Sequence, residues 1–108
     1  MAQFDVHRNI GGRSEHIPYV VIVQSALYDS YRRRVVVPLV RGSVLRDAAL
    51  KPSRINPVFT FEETELVLHP LELVSVALDQ LGDKVGDLQA HGAAIADALD
   101  QVFTRSWN

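Results

Sequence analysis

The chain has 108 residues, 47% of them hydrophobic, with 11 Lys and Arg against 13 Asp and Glu and no cysteine. Those numbers suit one domain over residues 1–108 that buries a core of its own, and they exclude a disulfide scaffold, a cysteine zinc site, a thiol nucleophile and a disordered chain. The net charge of −2 hides a division: residues 1–54 hold nine basic and four acidic groups and residues 55–108 two and nine, so the halves carry +5 and −7.

In chain order, Phe4 and Val6 alternate with Gln3, Asp5 and His7, which predicts a half-buried strand over residues 3–8. Gly11 and Gly12 with Arg13, Ser14 and Glu15 predict a turn. Residues 19–23 are β-branched almost throughout and predict a strand covered on both faces, with Pro18 at its start where a missing donor is tolerated. Residues 24–34 are polar and aromatic, a predicted loop. Residues 34–40 are a second apolar strand, and Pro38 inside it predicts a sheet edge or a bulge. A short helical turn is expected over residues 43–50, capped by Ser43.

Residues 57–61 and 65–69 flank Glu62, Glu63 and Thr64 as a hairpin, and residues 73–81 predict a further strand. From there the period changes. Val85, Leu88, Gly92, Ile95, Leu99 and Val102 recur at spacings of three and four, the stripe of one C-terminal helix over residues 83–103, with Asp83 as N-cap and Asp87 at the positive end of its dipole. Ala90, Ala93, Ala94 and Ala98 leave its surface small. Five or more short strands followed by one helix predict a mostly β fold, a small antiparallel, partly open barrel with the helix laid against it. The longest apolar runs fall far short of the ~18 residues that span a bilayer, and the first residues lack a secretory signal, so a cytoplasmic protein without membrane contact is expected.

The chemistry-bearing residues form no catalytic motif. His7, His16, His69 and His91 are not spaced as metal ligands, so no metal or cofactor is expected. The serines lack a nucleophile-elbow context, no helix follows Gly11 and Gly12 to cradle a phosphate, and Glu62, Glu63 and Glu65 read as a solvated hairpin tip. Tyr28-Asp29-Ser30-Tyr31-Arg32-Arg33-Arg34 interleaves rings and guanidiniums, a pattern that stacks bases and neutralises phosphates. Its ordinary counterpart, a solvated loop whose arginines pair with the acidic half, is preferred. Trp107 is either tucked onto the core or displayed to a partner.

The collinear order of Gln3-Phe4, Val23-Gln24-Ser25 with Leu27 and Asp29, Arg33-Arg34-Val35-Val36-Val37-Pro38-Leu39, Pro57-Val58, Ser75-Val76, and Val85 with Asp87-Leu88 resembles the CcdB family, toxins of type II toxin–antitoxin modules. The resemblance runs from Gln3 to Phe103. It implies an SH3-like barrel, a homodimer, poisoning of the cleaved DNA gyrase complex through the gyrase A subunit, neutralisation by a CcdA-like antitoxin, no catalysis and no specific DNA binding by the toxin alone. Carried over by position, the gyrase-facing residues are Leu27, Tyr28, Asp100 and Phe103, joined by Trp107, with Arg32, Arg33 and Arg34 as a basic patch. The Gly-Ile tip that better-known members need for poisoning is replaced here by Thr104-Arg105-Ser106 or by Asn108 after Trp107. Two alternatives therefore stay open: an endoribonuclease toxin of the MazF and Kid type, which shares the barrel, and a non-poisoning homologue that binds an antitoxin and regulates its own operon.

Overall fold

The computed structural model describes residues 2–47 and 53–104. Among them, seven strands form one antiparallel sheet: β1 (Asp5–Asn9), β2 (Tyr19–Ile22), β3 (Arg33–Arg41), β4 (Val58–Phe61), β5 (Thr64–Leu68), β6 (Val74–Ala77) and β7 (Leu81–Asp87). Two α-helices accompany it, α1 (Gly42–Asp47) and α2 (Gly92–Phe103). The hydrogen-bonded order is β4-β5-β3-β2-β1-β7, and β6 also pairs with β3. A mostly β, antiparallel, curled half-barrel with one C-terminal helix is thus the observed architecture.

The sheet is organised around β3. One edge pairs with β2, from Tyr19–Leu39 to Ile22–Val36. The other edge is shared, with β6 covering Arg33 to Val36 and β5 covering Leu39 to Arg41. A residue's N–H and C=O point to the same side of a strand, and the Pro38 carbonyl accepts from His69 N at 3.1 Å on this shared side. The missing donor of Pro38 therefore falls where β6 has ended and β5 has not begun. The expectation of an edge or a bulge is corrected: β3 is a central strand, and its proline sits at the seam between two successive partners.

Side chains of β3 alternate between faces. Val37 and Leu39 enter a core shared with Val6, Val21, Phe59, Leu66, Leu68, Leu88, Ile95 and Ala98. Arg34, Val36, Pro38 and Val40, on the opposite face, are buried as well. On β2, Val21 and Ile22 are buried on opposite faces while Tyr19 and Val20 are half-buried, so the two-sided cover expected for residues 19–23 is partial. The Phe61 ring, at the end of β4, lies where a Cβ on Gly86 of β7 would stand, with ring carbons 2.9 Å from that point. It also meets Tyr19 edge-on at 5.4 Å. The first and last strands of the order thus approach through a side chain rather than through backbone hydrogen bonds, which leaves the barrel partly open.

The helix is shorter than its sequence pattern predicts. Residues 81–87 are strand, paired with β1 from Asn9–Leu81 to Asp5–Asp87 with two register shifts, and α2 begins only at Gly92. Asp83 is consequently a strand residue, not an N-cap, and Asp87, the last residue of β7, lies ahead of α2 rather than in its first turn. Strand β1 needs a second partner, and Gly82 admits one: a Cβ there would meet the Arg8 carbonyl oxygen at 2.6 Å. The His7 ring, buried beside this irregular stretch, donates from Nδ1 to the Gly82 carbonyl at 2.9 Å. The single strand expected over 73–81 is likewise divided, because a 3-10 turn at Leu78–Gln80 carries the chain from β6 to β7. Helix α1 starts at Gly42, so Ser43 stands in its first turn rather than at its cap, and residues 48–50 of the expected turn lie outside the described residues.

The β4–β5 hairpin closes through two residues, since Phe61 pairs with Thr64, and both Glu62 and Glu63 take positive φ, 47° and 65°. This is the conformation that Asn-Gly satisfies without strain. Glu62→Asn combined with Glu63→Gly is expected to raise stability by about 1 kcal/mol in thermal or urea unfolding. Gly82→Ala pushes a methyl against a backbone carbonyl that cannot yield, and should cost on the order of 1–3 kcal/mol in the same measurement.

Candidate functional site

The loop between β2 and β3 is built from its own carbonyls inward. Ser25 Oγ accepts from Leu27 N at 3.2 Å and caps a 3-10 turn at Ala26–Tyr28. Gln24 is used at both ends of its amide, donating to the Tyr28 carbonyl at 3.2 Å and accepting from Val35 N at 3.0 Å. Beneath them lies Arg34, only 4% exposed. Its guanidinium donates to the carbonyls of Tyr31 (2.7 Å), Arg33 (2.9 Å) and Asp29 (2.8 Å), and its Nε lies 3.6 Å from Asp29 Oδ1. A buried arginine is tolerated only when such partners replace water, and here the partners are the loop's own backbone.

The consequence is display. With the backbone fixed from below, Leu27 is 86%, Tyr28 53% and Tyr31 63% exposed, and the two tyrosine rings meet edge-on at 6.1 Å. Tyr28, Tyr31, Gln24, Val35 and Arg33 line an apolar cleft of about 330 Å³. Arg33 also borders a wider cleft of about 630 Å³ with Arg32, Ala77, Leu78 and Asp79. The Arg33 guanidinium is clasped on β6, donating from Nε to Ser75 Oγ at 2.8 Å and from Nη2 to the Ser75 carbonyl at 2.7 Å.

The basic patch expected at residues 32–34 is therefore divided into three roles. Arg34 is an interior clasp, Arg33 is an exposed but tethered group, and the Arg32 side chain makes no hydrogen bond or ion pair among the described residues. The sequence held a signal for the first of these: Arg34 shares the even-numbered face of β3 with Val36, Pro38 and Val40, all buried. Gln24 and Ser75, which hold the loop and Arg33, carried no comparable signal.

The second group of candidates lies on α2. Asp100 and Phe103 are exposed in its last turn, Phe103 by 60%, and Thr104 closes the helix by donating from N (2.8 Å) and Oγ1 (2.9 Å) to the Asp100 carbonyl. The structure gives no hydrogen bond, ion pair or ring contact between this pair and Leu27 or Tyr28 among the described residues. Trp107 lies outside the described residues. Asp97, on the same helix as Asp100, is already engaged. Arg54 donates to both Asp97 oxygens, at 2.9 and 3.1 Å, and those hydrogen bonds together with the Asp97 charge hold its pKa above the ordinary arginine value. No group of three or more His, Asp or Glu side chains among the described residues is arranged to hold a metal ion, and no described helix is long and apolar enough to cross a membrane.

Against known proteins, the family model described as "CcdB protein" matches residues 3–104. None of the curated proteins matches the chain. Among solved structures, an endoribonuclease in complex with its cognate antitoxin from a mycobacterial species is similar over 100% of this chain and 99% of its own, with a TM-score of 0.76 and 15% sequence identity. At that identity the likeness establishes a shared fold.

Arg34→Ala removes the guanidinium from three loop carbonyls and from Asp29, and should destabilise on the order of 3 kcal/mol. Arg32→Ala should change stability by less than about 0.5 kcal/mol. Urea unfolding of the two variants beside the parent checks both.

Proposed function

The chain belongs to the CcdB family of toxins, and on that premise we propose that it is the toxin of a type II toxin–antitoxin module whose target is the DNA gyrase A subunit. It acts by binding. Its occupancy of gyrase traps the complex with cleaved DNA, and a CcdA-like antitoxin removes it. The observation that supports this reading most is the display of Leu27 beside Tyr28: an aliphatic side chain 86% exposed on a turn whose backbone is fixed by Arg34, Gln24 and Ser25. Contiguous exposed apolar side chains on a rigid support suit a partner's surface, because little ordering entropy remains to be lost on docking. Asp100 and Phe103 supply a second patch at the end of α2.

The protein is further proposed to work as a homodimer, through the apolar side chains that β2 and β6 leave accessible, Val20, Val74 and Val76, and the end of α2. The solved structure of the same fold is described as an endoribonuclease bound to its antitoxin, which lends support to an antitoxin partner and makes RNA cleavage the second reading.

Capture of purified gyrase A by the purified chain at micromolar concentration, with accumulation of cleaved DNA in a supercoiling assay, is the expected result. Leu27→Ala and Phe103→Ala should each weaken capture by about 30-fold, as for interface anchors, while shifting the melting temperature by less than ~4 °C. Absence of capture overturns the gyrase claim. RNA cleavage lost on Arg32→Ala or Arg33→Ala establishes the second reading instead, and a monomer by light scattering at high concentration removes the dimer.

A further inference from the structure

The two clefts beside the loop share Arg33, so an apolar, ring-lined space runs into a cationic one. We propose that together they bind single-stranded nucleic acid, with a base seated against Tyr28 and Tyr31 and the adjoining phosphates on Arg33 and Arg32.

The ring side of the site is suited to stacking. An edge-on pair, here with ring planes at 66°, leaves ring faces uncovered, and both tyrosines are more than half exposed while lining the apolar cleft. Every base has a π-face, so such a platform takes bases without regard to sequence. A volume of about 330 Å³ lies within the usual range of ligand clefts. The phosphate side is already arranged. Arg33 spends Nε and Nη2 on Ser75 and so presents Nη1 in a fixed orientation, while Arg32 is unpartnered among the described residues. Asp79 opposes them from the same cleft, leaving two guanidiniums against one carboxylate.

The same clasp argues against an extended peptide as the occupant. Leu78 N donates to the Arg32 carbonyl, which sets the phase of the β3–β6 ladder so that Val74, Val76 and Leu78 face β3 and Ser75 faces outward. The outward carbonyl of Ser75 is the one that Arg33 occupies. Strand addition at this edge is therefore blocked, and what remains for recognition is ring faces and guanidiniums.

Tyr28 belongs also to the surface proposed for gyrase, so the test varies Tyr31, Arg32, Arg33 and Asp79 and is read without gyrase; its failure leaves that reading standing. Fluorescence anisotropy of labelled oligomers of about eight nucleotides, as single-stranded RNA, single-stranded DNA and duplex DNA, gives the binding curves. Saturable binding to single strands in preference to duplex is expected, and whichever of RNA or DNA binds more tightly identifies the source. Tyr31→Ala should weaken binding by about tenfold and Tyr31→Phe should retain it, with circular dichroism showing both folded. Arg32→Ala and Arg33→Ala should each flatten the plot of log affinity against log salt by about 0.7, and Asp79→Asn should tighten binding. Absence of saturable binding at low salt, binding indifferent to Tyr31→Ala, or capture of an acidic aromatic peptide where no oligonucleotide binds would each overturn the proposal.

Discussion

Strand β3 pairs with β2 along one edge and with β6 and then β5 along the other, and it can do so because Pro38, which has no N–H to offer, falls at the change of partner. The ends of the sheet approach each other where Phe61 of β4 lies over Gly86 of β7, around a core that includes Val37 and Leu39. Helix α2 adds Ile95 and Ala98 to that core with Leu99 packed against it, and its last turn presents Asp100 and Phe103.

Arg34 connects this scaffold to the displayed loop. It stands on the face of β3 that carries Val36, Pro38 and Val40, and its guanidinium is satisfied by carbonyls of residues 29, 31 and 33 and by the Asp29 carboxylate. The loop is thereby fixed to the strand at the point where β3 begins. Leu27, Tyr28 and Tyr31 are exposed because their backbone, not their side chains, makes the attachments. A loop held in this way can lose exposed side chains without losing its shape, which separates recognition from folding.

The likeness to an endoribonuclease is one of fold, and a fold does not by itself fix function. What belongs to this chain is the arrangement on its surface: an apolar tip at Leu27, rings at Tyr28 and Tyr31, and two guanidiniums of which one is tethered. The contrast between a basic front half and an acidic back half is softened by topology, since Arg54 pairs with Asp97 and Lys84 with Asp5 across the halves, whereas Arg34 pairs with Asp29 inside its own.

The amino-acid sequence by itself determined the apolar strands at β2 and β3, the β4–β5 hairpin, the stripe of Ile95, Leu99 and Val102 on α2, and the collinear residues that mark the family. Each is a local pattern, a period of two or of three to four, or a short run of fixed identities. Tertiary structure alone decided that residues 81–87 pair with β1 instead of extending α2, because Val85 and Leu88 fit a helical stripe equally well and only the open edge of β1 and the absence of a Cβ on Gly82 favour the strand. It also decided that Arg34 points inward while Arg33 reaches Ser75, forty-two residues away in sequence. Periodicity reports which side chains share a face; what covers that face, and which cation is left free on the surface, depends on strands that meet only after the chain has folded.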